Sequence, residues 1–413
     1  MKIGTIALYM VIMLDVMGQG LVIPVLTTLL LDPSQTLLDT STSTGTRELY
    51  FGITMGVFFL SWFLGAAYIS KLSDFIGRKQ GLLICLGGAF LGYVLTVVAL
   101  YLSSFVLLLV ARIITGFTAG NQPIAQAAFV DESTSPEQKT RLMGYVIVAV
   151  SVGLLIGPLL GGLLTNEALL GNLASIQAPF YAAGILVLVN LMLVVIFYQN
   201  VKFERRPIKI KITDVFLTLW HAAKRPVVLR LALVFFCSQL SLNTFFVFLD
   251  NFLYSRFQFD TTQNSIILIV FGIGMAASGA FLVGPLDRRF AKKSIIYATL
   301  FVMGLGLLIV MVNPTGALSY VAILPFVVAF GINYPLMLSL FSASVDENEQ
   351  GWVMGVTVAL YTLGAGIISF LGGQLMAISI YLPYSVALGA VVIAMILIFT
   401  LWRGERFRAL DPR

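Results

Sequence analysis

Twelve apolar stretches, each long enough to cross a bilayer as a helix, dictate what this chain can become. They lie at residues 5–31, 51–70, 81–101, 104–128, 142–165, 178–199, 228–254, 263–285, 294–312, 317–341, 352–378 and 380–402. A hydrocarbon core takes roughly 20 apolar residues per helical span. Inside it every backbone N–H and C=O must be satisfied by the chain itself, which leaves only helices and closed barrels. A barrel would show alternating segments of about ten residues, and none is present. With 59% hydrophobic and 11% charged residues, the chain lacks the polar exterior of a soluble domain. The reading is an all-α integral membrane protein with short polar joins.

The N-terminal run continues past Asp15 to Leu31 without a small-residue cleavage site, so it reads as an uncleaved first helix. Cys85 and Cys237 each fall inside an apolar span and suggest neither a disulfide nor a metal site. The single histidine, His221, lies in the basic middle loop, so no histidine relay crosses the membrane. Of 25 Lys and Arg, only Arg47 and Arg256 fall in loops on the far side, and Arg112 lies inside a span. The remainder lie on the side of the N-terminus. Basic residues favour the cytoplasmic face, so both termini are expected there, in a multi-pass protein of the cell's inner membrane. The net charge of +6 is then a topology signal, and no nucleic-acid partner is implied.

The longest join, residues 200–227, divides the spans six and six, giving halves at 1–199 and 228–413. Within it Val215, Phe216, Leu219, Trp220 and Ala223 share one side of a helix capped near Thr213 or Asp214. Two readings fit this segment: a helix lying in the headgroup region, or a plain solvated linker. The halves resemble each other at an offset of 211: Met143-Gly144 falls on Met354-Gly355, Gly153 on Gly364, and Gly161-Gly162 on Gly372-Gly373. Gly157-Pro158 falls on Ile368-Ser369, so the second copy lacks that step. Two parallel six-helix repeats imply a substrate site between halves and access by rocking.

Three groups of residues carry chemistry. The fifth span, GYVIVAVSVGLLIGPLLGGLL, holds Gly144, Gly153, Gly157, Pro158, Gly161 and Gly162. Gly153, Gly157 and Gly161 form a bare helical stripe that admits another backbone, and Pro158 is expected to bend the helix. The loop after the second span, GAAYISKLSDFIGRK, holds Gly65, Asp74, Gly77, Arg78 and Lys79. Asp15 and Arg112 sit about halfway through their spans, where a charge costs at least ~2.5–3.5 kcal/mol. Such residues face a partner or water. Asp15 is either a titrating or cation-binding group tuned by Arg112, or half of a permanent clamp.

Gln19 lies one turn beyond Asp15. In the seventh span Gln239, Asn243, Phe246 and Asp250 form one stripe. Asn333 and Tyr334 in the tenth span, Tyr361 in the eleventh and Gln126 near Arg112 complete a set of cavity candidates. An amide- and aromatic-walled cavity suits an amphipathic substrate. Asp250 is open to a plain interfacial role.

The loop signature, the Arg112-x3-Gly116 step, the first-span run Asp15, Gly18, Gly20, Pro24 and the glycine–proline segment resemble the major facilitator superfamily across essentially the whole chain. They are closest in pattern to its drug:proton antiporters of the tetracycline and multidrug exporter type. The resemblance implies the twelve-helix major facilitator fold. The loop would act as a cytoplasmic gate in which Arg78 pairs with Asp131, and Asp74 would face the N-terminus of the eleventh span. Phe75 replaces the usual arginine, and Asp287, Arg288, Arg289, Lys292 and Lys293 give a weaker echo. Tetracycline exporters carry further acids in the third and ninth spans. Here 81–101 and 294–312 contain none, which argues against tetracycline itself.

The expected function is proton-coupled export of amphipathic small molecules or drugs by alternating access, through a monomer. Its partners would be the bilayer, protons and the substrate, with no cofactor or metal. The competing reading is a transporter of one metabolite, such as a siderophore or nutrient, including an importer. A receptor is disfavoured by the gate loop. No nucleophile–base set, metal spacing or phosphate loop supports an enzyme. Cysteines placed at Ser43 and Lys209 should be labelled from opposite sides of the membrane. Labelling of both from one side overturns the topology.

Overall fold

The computed structural model describes residues 3–35, 37–133, 136–199, 214–346 and 349–403. The linker stretch 200–213, including Lys209 and Thr213, lies outside them. Among the described residues the structure is helical. The first half runs α1 (Ile3–Leu31), α2 (Thr44–Ile76), α3 (Arg78–Tyr101), α4 (Phe105–Phe117), α5 (Asn121–Glu132), α6 (Pro136–Leu164), a short α7 (Glu167–Leu170) and α8 (Ala178–Phe197). After α9 (Asp214–Ala223) come α10 (Pro226–Phe257), α11 (Thr261–Phe281), α12 (Val283–Arg289), α13 (Lys292–Val312), α14 (Ser319–Ala322), α15 (Leu324–Ala343), α16 (Gln350–Ile378) and α17 (Leu382–Leu401). Eleven of the candidate spans are single helices or near-continuous pairs, and the fifth becomes the twelfth span if its bent outer end is included.

The contacts divide the chain into two units. One holds residues 1–214 with 260–269, the other 215–259 with 270–413. The first unit takes in the start of α11 through polar contacts. Thr28 and Thr261 hydroxyls meet at 2.6 Å, the Asn166 amide donates to Thr262 at 3.0 Å, and Thr262 donates to the Gly162 carbonyl at 3.3 Å.

The core of the first unit is the contact of α1 with α6. The glycine stripe of α6 lies directly on the backbone of α1. A methyl group added at Gly153, Gly157 or Gly161 would strike the carbonyl oxygens of Met13, Met17 and Leu21. Contacts this close permit Cα–H···O interactions, each worth ~0.5–1 kcal/mol. Gly20 makes room in turn for the Pro158 ring, and α6 continues through Pro158 as one helix. Gly144 lies on the same helix. The equivalent contact in the second unit is spaced by rings: Gly364 faces Phe236 and Gly372 faces Phe248.

The outer end of the first unit is tied by a buried arginine. Arg47, 1% exposed, donates to the carbonyls of Leu30, Asp32, Asp39 and Thr42. It thus satisfies the open C-terminus of α1, where a cation is favoured. In the same loop Asp39 accepts from the Ser41 hydroxyl at 2.6 Å and its N–H at 2.8 Å, which holds this carboxyl below its ordinary pKa.

The helix within the linker forms as α9. Phe216, Leu217 and Trp220 are exposed on it, with the Lys224 ammonium 5.3 Å from the Trp220 ring. At the starts of α10 and α16, Arg225 grips Glu349 with two bonds of 2.5 Å, and this guanidinium holds the Glu349 carboxyl below its usual range.

Gly157→Ala should lower stability by ~1–3 kcal/mol, because neither backbone can yield without displacing its helix. Gly389, with nothing near its missing methyl, is the control, and its alanine variant should stay within ~0.5 kcal/mol of the parent. Thermal unfolding in detergent distinguishes the two; equal midpoints would mean the close contact adds nothing.

Candidate proton site and gate of the first unit

The fourth span is not one helix. Pro123 has no N–H and its ring crowds the carbonyl of residue 119, which favours a break in the helix before it. The chain leaves helix at Thr118–Gly120 and restarts at Asn121, with proline in the first turn where its missing donor costs nothing. The break is packed tightly. Gly65 of α2 sits against the Phe117 carbonyl so closely that no side chain fits, Gly116 lies on the Phe58 carbonyl, and Gly120 on Ala66.

The restart aims the N-terminus of α5 at Asp15. The Asn121 amide nitrogen donates to the Asp15 carboxylate at 2.7 Å, and the Gln122 backbone N–H also bonds it. Asp15 thus lies at the positive end of a half-helix within the membrane-spanning bundle, where an anion is stabilised. Asp15 and Gln19 line a cavity of about 50 Å3 together with Phe58, Tyr93, Arg112 and Asn121. Asp15 and Arg112 are brought into one cavity, but not into a pair. The Arg112 guanidinium stands 4.2 Å from the centre of the Phe58 ring, and its Nε has no hydrogen-bond partner. A desolvated cation–π contact is worth ~2 kcal/mol, which offsets part of its burial. Tyr93 fills the remaining space, its hydroxyl against Gly18.

The candidate gate residues gather at the opposite end of α5. Arg78 donates from Nε to Asp131 at 3.0 Å, from a terminal nitrogen to the Ser73 hydroxyl at 2.9 Å, and forms an ion pair with Asp74. Gly77 turns the chain between α2 and α3 at φ 105°, a conformation that favours glycine. Lys79 donates to the Val195 carbonyl at the end of α8, at 2.7 Å. Along its length α5 lies beside α1: Thr5 reaches Glu132 at 3.4 Å and the Tyr9 and Phe129 rings stack at 4.4 Å. Gln126 is half-buried on α5 and outside the Asp15 cavity, because the break resets the helical phase from that of Arg112.

A second cavity lies on the other side of α1. Ile6, Tyr9, Met10 and Met13 with Tyr145, Val148, Ala149 and Val152 of α6 line about 440 Å3 of almost wholly apolar groove. At 3.6 residues per turn, positions 6, 9, 10 and 13 point roughly opposite to 14, 15, 18 and 19. α1 therefore presents an acid to one face and an oily groove to the other.

The polar candidates of the second unit tie into neighbouring groups on their helices, while the Gln239 Oε1 and Asn243 Oδ1 atoms have no partner among the described residues. Asn243 donates to the Gln239 carbonyl at 2.8 Å and to the Tyr361 carbonyl at 3.4 Å. Asn333 donates to Thr299 at 3.0 Å and accepts from Ser238 at 3.3 Å, tying α10, α13 and α15. Tyr334 stacks on Phe330, with ring centres 5.6 Å apart. Asp250 is wholly buried rather than at an open mouth. In the loop echo, Asp287 pairs with Lys292 at 3.5 Å and Lys293 donates to the Trp402 carbonyl at 2.6 Å.

Sequence comparison agrees with this architecture. The sequence pattern of the Major Facilitator Superfamily matches residues 8–369, and again 231–411. The chain is 31% identical over 351 residues to the class C tetracycline resistance protein of Escherichia coli, covering 85% of this chain and 84% of that one. It is 24% identical to the quinolone resistance protein NorA of Staphylococcus aureus (strain COL), over 95% and 94% of the two chains. The xylose transporter XylE from E. coli superposes with a TM-score of 0.75 at 15% identity, over 98% of this chain and 97% of that one, a likeness of fold. The chain belongs to the Major Facilitator Superfamily, and is a multi-pass membrane transporter rather than an enzyme.

Proposed function

We propose that the protein is a proton-coupled exporter of amphipathic small molecules, residing in the cell's inner membrane with both termini in the cytoplasm. One observation carries the proton site: the Asp15 carboxylate, inside the helical bundle, accepts 2.7 Å from Asn121 at the start of α5. An intramembrane acid is functional by default, and this one has both a small cavity and a partner that distinguishes its charged form. The resistance proteins among its relatives support export, as does the glycine–proline contact of α6 with α1.

The substrate's apolar body is held in the groove of Met10, Met13, Tyr145 and Val148. Methionines and tyrosines there can adjust to differently shaped guests. The groove and Asp15 lie on opposite faces of α1, so substrate and proton do not contend for the same carboxylate. Coupling acts through the position of α1 itself: each ligand drives the transport cycle only by binding its two states unequally. Arg112 keeps a positive field beside Asp15 without neutralising it in a pair.

Two outcomes test this function. In inverted vesicles, Asp15→Asn should abolish transport driven by an imposed pH gradient. A wild-type response to the gradient would move the proton site elsewhere, with Asp250 next. Tyr145→Ala should raise the apparent KM about tenfold, the equivalent of ~1.4 kcal/mol of lost apolar contact, and leave the gradient response intact. An unchanged KM across several hydrophobic substrates would remove the groove from the substrate path.

A further inference from the structure

α5 touches the proton site at one end and the gate at the other. Asn121 is its first residue and Asp131 its second to last, so the rod between them is about 15 Å long. The two contacts are of equal quality: Asn121 to Asp15 at 2.7 Å and Arg78 to Asp131 at 3.0 Å. A helix is stiff along its axis, and the break at Thr118–Gly120 uncouples this one from α4. An axial shift of its inner end therefore reaches Asp131 undiminished.

Asn121 is equipped to sense the protonation state of Asp15. It is 1% exposed, and among the described residues its side chain makes one hydrogen bond, to the carboxylate, while its Oδ1 has no partner. An amide can donate to a carboxylate and, turned over, accept from a carboxylic acid. A charged Asp15 also attracts the N-terminal dipole of α5, and a neutral one does not. Among the described residues no other element supplies a competing partner. α2 presents Phe58 and α8 presents Val187; α3 presents Tyr93 and Cys85; α4 presents Arg112, which is directed at Phe58. α5 shares a buried apolar core with α1 through Ile124, Ala125, Ala128 and Phe129, and the directional contacts between the two helices are one ring stack and one long bond of 3.4 Å.

We propose that Asn121 is the positioning residue that couples Asp15 to the gate, with α5 as the strut between them. This rests on the proton-coupled reading above. Deprotonated Asp15 draws α5 inward and seats Asp131 on Arg78. Protonation relaxes that pull, Asp131 moves off Arg78, and the hold of Arg78 on Asp74 loosens with it. A proton taken from the outer side would thus unlock the cytoplasmic side, the order an exporter requires.

The test uses full-length protein in lipid nanodiscs, without substrate, carrying spin labels at Phe75 and Asp346. In the wild type the distance distribution should change between alkaline and acidic buffer. Asn121→Leu should lose that change, and Asn121→Ser, which keeps a donor and an acceptor, should restore it. If the leucine variant does not insert, Asn121→Ala takes its place. A wild-type pH response in either apolar variant overturns the proposal. Asp15→Asn, measured alongside, separates the two readings. Loss there with retention in Asn121→Leu defeats the strut alone, and retention in Asp15→Asn defeats the proton site as well.

Discussion

A carboxylate at the depth of Asp15 is tolerable only because a helix begins in front of it. The N-terminus of α5 supplies the Asn121 amide and the Gln122 N–H, and hydrogen bonds to a charged group contribute ~1.5–3 kcal/mol each, comparable with the cost of the charge itself. That arrangement requires the fourth span to be broken, which Pro123 favours, and the break to be packed, which Gly65 and Gly116 allow. A glycine of the loop signature therefore serves the surroundings of Asp15 as much as the loop itself. The two signatures meet at one place on the fourth span.

The second dependency is the backbone contact of α6 with α1. Three glycines seat α6 on the carbonyls of Met13, Met17 and Leu21, bracketing Asp15 on the sequence of α1. In the second unit phenylalanine rings stand in the corresponding gap. The repeats share a plan, and only the first copy has its helices pressed together around an acid. The polar side chains of the second unit instead join α10, α13, α15 and α16 into a network.

The spans were legible because hydrophobic length is imposed by the bilayer and survives any detail of packing. The glycine stripe was legible for a similar reason: a missing side chain at every fourth residue has one geometric meaning. The pairing of Asp15 with Arg112 was not. Opposite charges at similar depth suggest a bond, yet the choice among Arg112, Asn121 and Phe58 depends on side-chain direction across three helices. Asn121 itself carried a signal, Gly120-Asn-Gln-Pro123, a helix start inside an apolar run. Treating the fourth span as unbroken hid it and placed Gln126 on the wrong phase. Asn243 and Asn333 read as cavity residues from their polarity; sequence alone did not show that Asn243 donates to carbonyls of Gln239 and Tyr361, nor that Asn333 bonds Thr299 and Ser238.

The two faces of α1 have a consequence for how such a protein changes over generations. Substitutions at Ile6, Met10, Met13, Tyr145 or Val148 alter the groove and leave the acid, its amide partner and the arginine untouched. A lineage can therefore vary the shape of the groove one residue at a time while the acid and its partners stay as they are. Divergence among descendants should gather on one side of a single helix, and the opposite side should hold still.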